Sequence, residues 1–177
     1  DAVITVGSFR GGTKHNIIPD EVKLQLTIRT YKDEVRNLIH KRIKEICDGV
    51  AASMGLDESR YPKIILPESF TPANYNDEEL IDLMTSVSNS IIGEENVVVT
   101  EPQMVGEDFA RYGSTKENIP TAMYWLGTVP KERMDKYNSG EYALPALHSP
   151  YYYPDIENSI TTGVKVSTES LIKLFNK

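Results

Sequence analysis

The stretch Glu21-Val22-Lys23-Leu24-Gln25-Leu26-Thr27-Ile28-Arg29-Thr30 alternates apolar and polar side chains without a break. Successive side chains of a strand point to opposite faces. Val22, Leu24, Leu26 and Ile28 therefore share one face, and Lys23, Gln25, Thr27 and Arg29 the other. This pattern predicts a half-buried antiparallel strand. Upstream, residues 2–9 are rich in Val and Ile, alternate more loosely, and end at the turn signal Arg10-Gly11-Gly12-Thr13-Lys14. Downstream the period changes. Val35, Leu38, Ile39, Ile43, Ile46, Val50 and Met54 form the stripe of an amphipathic helix that Gly55 stops, with Thr30 and Asp33 both available as its cap. Residues 61–66 read as a further strand. Strand, strand, helix, strand is the latter part of a ferredoxin-like β-α-β-β-α-β domain, without its opening strand and helix.

Residues 67–74 hold prolines and small side chains and read as a linker, which divides the chain into 1–70 and 71–177. Asn76, with Glu79 three residues on, predicts a helix start, and Leu80, Leu83, Met84, Val87 and Ile91 carry that helix to Gly93. Residues 97–100 and 121–126 read as short buried strands. A last helix is expected from Asp155 to Phe175 with Ile156, Ile160, Val164, Leu171 and Leu174 inward. Helices alternating with short apolar strands predict an α/β sheet.

The 177 residues carry 19 Lys and Arg against 26 Asp and Glu, a formal charge of −7. No basic stretch is dense enough to gain from counterion release on phosphates, which argues against nucleic acid and against an anionic membrane surface as partners. With 40% hydrophobic and 25% charged residues the composition is that of a globular protein. No apolar run approaches the roughly 20 residues of a membrane span. A single cysteine, Cys47, cannot close an internal disulfide, so a cytoplasmic location is expected. The sequence opens at Asp1 inside a predicted strand with no initiator Met, and we expect a fragment or a processed chain.

The three histidines form no HExxH, and no paired CxxC, P-loop or Gly-x-Ser-x-Gly elbow is present. Polar residues near strand ends and loops remain. His148, in Leu147-His148-Ser149-Pro150, is able to ligate a metal, although a lone loop histidine is more often solvated. His15 and Asn16 follow the Gly11-Gly12 turn, where an asparagine commonly closes the loop on its own backbone. Arg29 ends its strand on the polar face, placed either to fork a substrate carboxylate or to make an ordinary surface ion pair. Glu107 and Asp108 are either an acid pair or helix caps. Tyr151-Tyr152-Tyr153 either line a pocket or shield a loop. His40 reads as surface, and Trp125 and Cys47 as core.

Taken in order, Gly11-Gly12-Thr13-Lys14-His15-Asn16-Ile17-Ile18-Pro19-Asp20, Ile28-Arg29-Thr30, Gly106-Glu107-Asp108-Phe109 and Leu147-His148-Ser149-Pro150 resemble the C-terminal half of the dinuclear-metal amidohydrolases. That group includes hippurate hydrolase, indoleacetyl-amino-acid hydrolase, bacterial aminoacylases and related carboxypeptidases. The resemblance implies an α/β fold, with part of a ferredoxin-like lid that dimerises (residues 1–70) followed by the C-terminal part of an α/β metallohydrolase catalytic domain (71–177). It implies a small N-acyl amino acid or peptide as substrate and a homodimer through the lid. Two zinc ions are the implied cofactor, with manganese the alternative. His148 takes the position of the last metal ligand, Asn16, His15 and Arg29 those of substrate-gripping lid residues, and Glu107 and Asp108 lie near the active site. The other ligands, and a Glu that deprotonates a metal-bound water, lie upstream of Asp1 in that group, so the chain alone is expected to be inactive. The competing reading is a non-catalytic dimerisation or binding module.

Overall fold

The computed structural model describes residues 1–176. The elements in chain order are β1 (Ala2–Gly11), β2 (Val22–Thr30), α1 (Asp33–Ser53), α2 (Glu78–Ile92), α3 (Lys131–Asn138) and α4 (Ile156–Phe175), with short 3-10 turns at Glu58–Arg60, Glu94–Asn96 and Asp108–Arg111. They form two compact units. One comprises Asp1–Asn74 with Glu101–Glu117, the other Tyr75–Thr100 with Asn118–Lys177.

The first unit is built on an antiparallel hairpin. Ile4 faces Ile28, Val6 faces Leu26, Phe9 faces Leu24 and Gly11 faces Val22. The register shifts between Val6 and Ser8, so Gly7 is an extra residue bulged out of the ladder. That bulge restores the pattern. Counting by twos from Val6 would put Phe9 on the polar face, and the extra residue returns it to the apolar face beside Leu24. The close of the hairpin needs two glycines. A Cβ on Gly11 would stand 2.8 Å from Val22 Cγ2, and Gly12 has φ +79°, which L side chains rarely adopt.

The alternation predicted a half-buried sheet. The antiparallel pairing is observed, but Val22, Leu24, Leu26 and Phe9 remain exposed among the described residues. Burial needs a second layer, and α1 contacts the hairpin through β2. α1 starts with Lys32 as its cap residue and no side-chain cap bond, so neither Thr30 nor Asp33 caps it. Its C-terminal Met54 amide bonds back to Val50 and Ala51, and Gly55 at φ +71° ends the helix as expected. The helix buries Ala51 and half-buries Val35, Ile39, Ile43 and Cys47, and His40, read as surface, is also partly covered, while Leu38, Ile46, Val50 and Met54 stay exposed.

Residues 61–66, 97–100 and 121–126 are not strands: among the described residues the sheet has two strands only. An apolar run becomes a strand when a ladder partner satisfies its backbone, and no neighbouring strand lies beside any of the three. Residues 121–123 are instead tied to the start of α2. The Asp77 amide donates to Thr121 O at 2.7 Å. The Asn76 side chain accepts from Met123 N at 2.8 Å and donates to Met123 O at 2.9 Å. Asn76 thus does the work of a neighbouring strand, and Asp77 is the cap of α2, its carboxylate accepting from Leu80 N.

α2 packs on α4 within the second unit, and each helix buries one valine, Val87 and Val166. The buried positions of α4 are Ser159, Val166 and Ser170. The stripe expected inward, Ile156, Ile160, Val164, Leu171 and Leu174, is exposed. The small side chains on that side of α4 admit close neighbours: Leu126 Cδ2 stands 3.1 Å from where a Cβ on Gly163 would be, and the Tyr124 hydroxyl hydrogen-bonds Ser167. Asp155 caps α4, accepting from Asn158 N, so the helix begins one residue after the start expected for it.

Candidate functional site

Arg29 leaves β2 opposite Val3, on the face away from Leu24 and Leu26. It is half-buried, and no ion pair or hydrogen bond engages its guanidinium among the described residues. Its Nη1 stands 3.5 Å from where a Cβ on Gly106 would be. The structure therefore joins two sequence motifs that are far apart in the chain, Ile28-Arg29-Thr30 and Gly106-Glu107-Asp108-Phe109. Within the second motif, the Glu107 carboxylate accepts from Phe109 N at 3.1 Å and caps the turn Asp108–Arg111. Of the two readings of Glu107, capping is the observed one. Asp108 follows as an exposed first-turn acid, favoured there by the partial positive charge of the free amides.

His15 and Asn16 are both exposed and occupy the two middle positions of a turn closed by Ile17 N donating to Lys14 O at 3.3 Å. That turn belongs to the loop that joins β1 to β2 beyond the Gly11–Val22 pair. Arg29 lies seven residues further along β2, about 24 Å at strand rise. One small substrate cannot span the strand, so Arg29 and the Gly11–Val22 end of the hairpin are not brought to a common point by these elements.

His148 is exposed in a turn where Ser149 N donates to Ala146 O. No group of three or more His, Cys, Asp or Glu side chains converges to hold a metal among the described residues. One imidazole supplies one of the four ligands that a zinc ion takes, so these residues do not by themselves fit a metal, let alone a pair.

Tyr153, with Pro130, Arg133 and Asp155, lines an open cleft of about 440 Å³, and the Arg133 guanidinium stands 5.1 Å over its ring. Tyr152 is half-buried and hydrogen-bonds Thr128 through its hydroxyl, and Tyr151 is exposed. Trp125 is also exposed, so it is not a core residue.

Sequence reasoning missed one arrangement. The segment read as a linker is pinned at Phe70: Arg36 of α1 stacks 3.4 Å from the ring centroid, and Arg111 Nη2 donates to the Phe70 carbonyl at 3.1 Å. The signal for Arg36 was present, since it lies between Val35 and Leu38 beside the apolar stripe, where a guanidinium tends to cover an aromatic ring. Both arginines, Arg29 and Gly106 lie in the same compact unit.

The peptidase dimerisation domain model of the M20 type matches residues 2–54, which are the hairpin and α1. That part of the chain is similar to an M20 peptidase dimerisation domain. A Streptococcus thermophilus protein named N-acetyldiaminopimelate deacetylase is 36% identical over 126 residues, covering 71% of this chain and 31% of the relative. A Campylobacter jejuni protein named hippurate hydrolase is 28% identical over 117 residues, covering 66% and 29%. The Bacillus subtilis YXEP protein, described as a dinuclear metal binding peptidase from the M20 family, superposes with a TM-score of 0.75 over 99% of this chain and 42% of its own, at 24% identity. The chain spans about a third of the length of the curated relatives it matches. The resemblance drawn from the four motifs is borne out, as is the mixed α/β fold with a dimerisation domain.

Proposed function

We propose that this chain supplies the lid, residues 1–70, and the C-terminal catalytic portion, residues 71–177, of a metal-dependent amidohydrolase acting on N-acyl amino acids or small peptides. The observation that carries the reading is Arg29, a half-buried guanidinium without an acidic partner among the described residues, in a chain whose relatives are named as deacetylases and a hippurate hydrolase. A cation withdrawn from water and left unpaired is costly, and a planar fork matches a carboxylate through two parallel bonds. Every N-acyl amino acid carries such a carboxylate.

In this reading Asn16 and His15, which lie too far along the strand to share a substrate with Arg29 of their own chain, are donors from the hairpin loop to the substrate held by the other copy of the homodimer, and Glu107 and Asp108 shape the loop beside Arg29. His148 is one ligand of a divalent metal pair, zinc or manganese. The remaining ligands and the general base belong to the length by which the relatives exceed this chain, and the 177 residues alone are inactive. The protein acts as a homodimer through the lid, and its free thiol at Cys47 suits the reducing cytoplasm.

The test is a zinc and manganese titration of the complete gene product, with and without His148→Ala, followed by hydrolysis of a panel of N-acyl amino acids. We expect about two ions bound and amide cleavage in the wild type, and loss of both in the variant. A complete product that binds no metal and cleaves nothing refutes the enzyme and leaves a non-catalytic dimerisation module.

A further inference from the structure

We propose that Gly106 is a positioning residue for Arg29: the bare backbone of the Gly106-Glu107-Asp108-Phe109 loop is the surface against which the guanidinium is held in its carboxylate-binding pose. The inference rests on the reading of Arg29 given above and deepens it. Three observations converge on it. First, Arg29 Nη1 stands 3.5 Å from the Cβ position of Gly106, the near edge of ordinary contact. Second, no φ in the left-handed range is found at Gly106, so backbone strain does not explain a glycine there. Third, the loop is fixed close by: Glu107 caps the following turn, and Arg111 in that turn bonds the Phe70 carbonyl, while Arg36 stacks on the Phe70 ring. The loop is thus a fixed wall, and the long arginine side chain lies beside it. A long, flexible arginine loses rotamer freedom when it grips a ligand, and a wall that already restricts it reduces that loss.

The geometry gives a graded expectation. A methyl at Gly106 would sit at 3.5 Å from Nη1, so Gly106→Ala leaves the guanidinium in place. A valine fills two of the three staggered positions on that Cβ with methyls and is stiff, so it has few ways to clear the guanidinium.

The experiment is a double-mutant cycle in the complete gene product, with hippurate as first probe and other N-acyl amino acids in turn. Gly106→Val is expected to raise KM about 10-fold at little-changed kcat, the loss of one charge-assisted hydrogen bond. Gly106→Ala is expected within about 2-fold of wild type. In an Arg29→Ala background, Gly106→Val should change KM by less than about 2-fold, because the group it displaces is gone. Equal effects in both backgrounds, or no effect of valine in the wild type, overturn the proposal. Should Gly106→Val fail to fold by circular dichroism, Gly106→Ser, with one atom beyond Cβ, goes through the same cycle. If hydrolysis is absent, the cycle is read from the Kd of the same acids as ligands. A wild type that neither cleaves nor binds any of them refutes both this proposal and the function above, whereas a wild type that does, with additive effects, refutes this one alone.

Discussion

The same substitution at two valines of the second unit separates packing from composition. Val87, on the helix that packs against α4, is 1% exposed, while Val99 is 97% exposed. Truncating Val87 to alanine removes two carbons from a dry contact. At about 0.8 kcal/mol per carbon, with about 0.8 kcal/mol more for a cavity that relaxes only in part, the loss is about 2.5 kcal/mol. For a chain of this size that corresponds to a melting temperature lower by about 5–10 °C. Val99→Ala removes the same atoms from water and should cost under about 0.5 kcal/mol, about 1 °C. Thermal and urea unfolding of the dilute 177-residue chain, followed by far-UV circular dichroism, measures both. Equal shifts for the two variants would mean that Val87 is not buried as described. A large loss at Val99 would mean that residues 97–100 find a partner in solution.

Three further expectations follow from the same structure. Asp77→Ala, which removes the α2 cap, should cost about 1 kcal/mol, and Asn76→Ala should increase amide exchange at Met123, its bonded partner, and leave exchange within α4 unchanged. The Lys136 ammonium, bonded to Glu132 at 2.8 Å on α3, holds the Glu132 carboxyl below its ordinary 4.5, and Glu132 raises Lys136 above 10.5. A lowered acid stabilises above its unfolded value and loses that contribution as pH falls through the folded one. A raised base stabilises below its unfolded value and loses it as pH rises through the folded one. The pair therefore supports α3 fully between those ordinary values, and carbon-detected NMR titration of Glu132 should shift upward on Lys136→Ala. An unchanged titration would show the pair to be open in solution. Sedimentation of the complete gene product should give a dimer at micromolar concentration, and a monomer throughout that range would remove the proposed dimer.

Much of the architecture was legible because it is local. Period-2 alternation over Val22–Arg29, the 3.6-residue stripe of α1 and the Gly11-Gly12 and Gly55 signals depend only on neighbours along the chain, and β1, β2, α1, α2 and α4 fall where those signals place them. The candidate residues were legible as a series of motifs, since motif order survives without any knowledge of packing. The strands expected at 61–66, 97–100 and 121–126 failed for a physical reason: apolar, β-branched composition permits an extended chain, but a strand exists only when a distant segment satisfies its backbone.

The sequence by itself determined which face of each element is apolar, where the helices stop, and that Arg29 stands on a polar face. Only the tertiary structure decided which faces are covered. It turned Ser159, Val166 and Ser170 of α4 toward burial and left Ile160 and Val164 in water. It spent Glu107 on a cap and Asn76 on the backbone of Met123. It also set Arg29 against Gly106, two residues separated by most of the first unit's chain. Periodicity is a property of neighbours along the chain, whereas burial and side-chain partnership are settled by segments that meet only when the chain has folded.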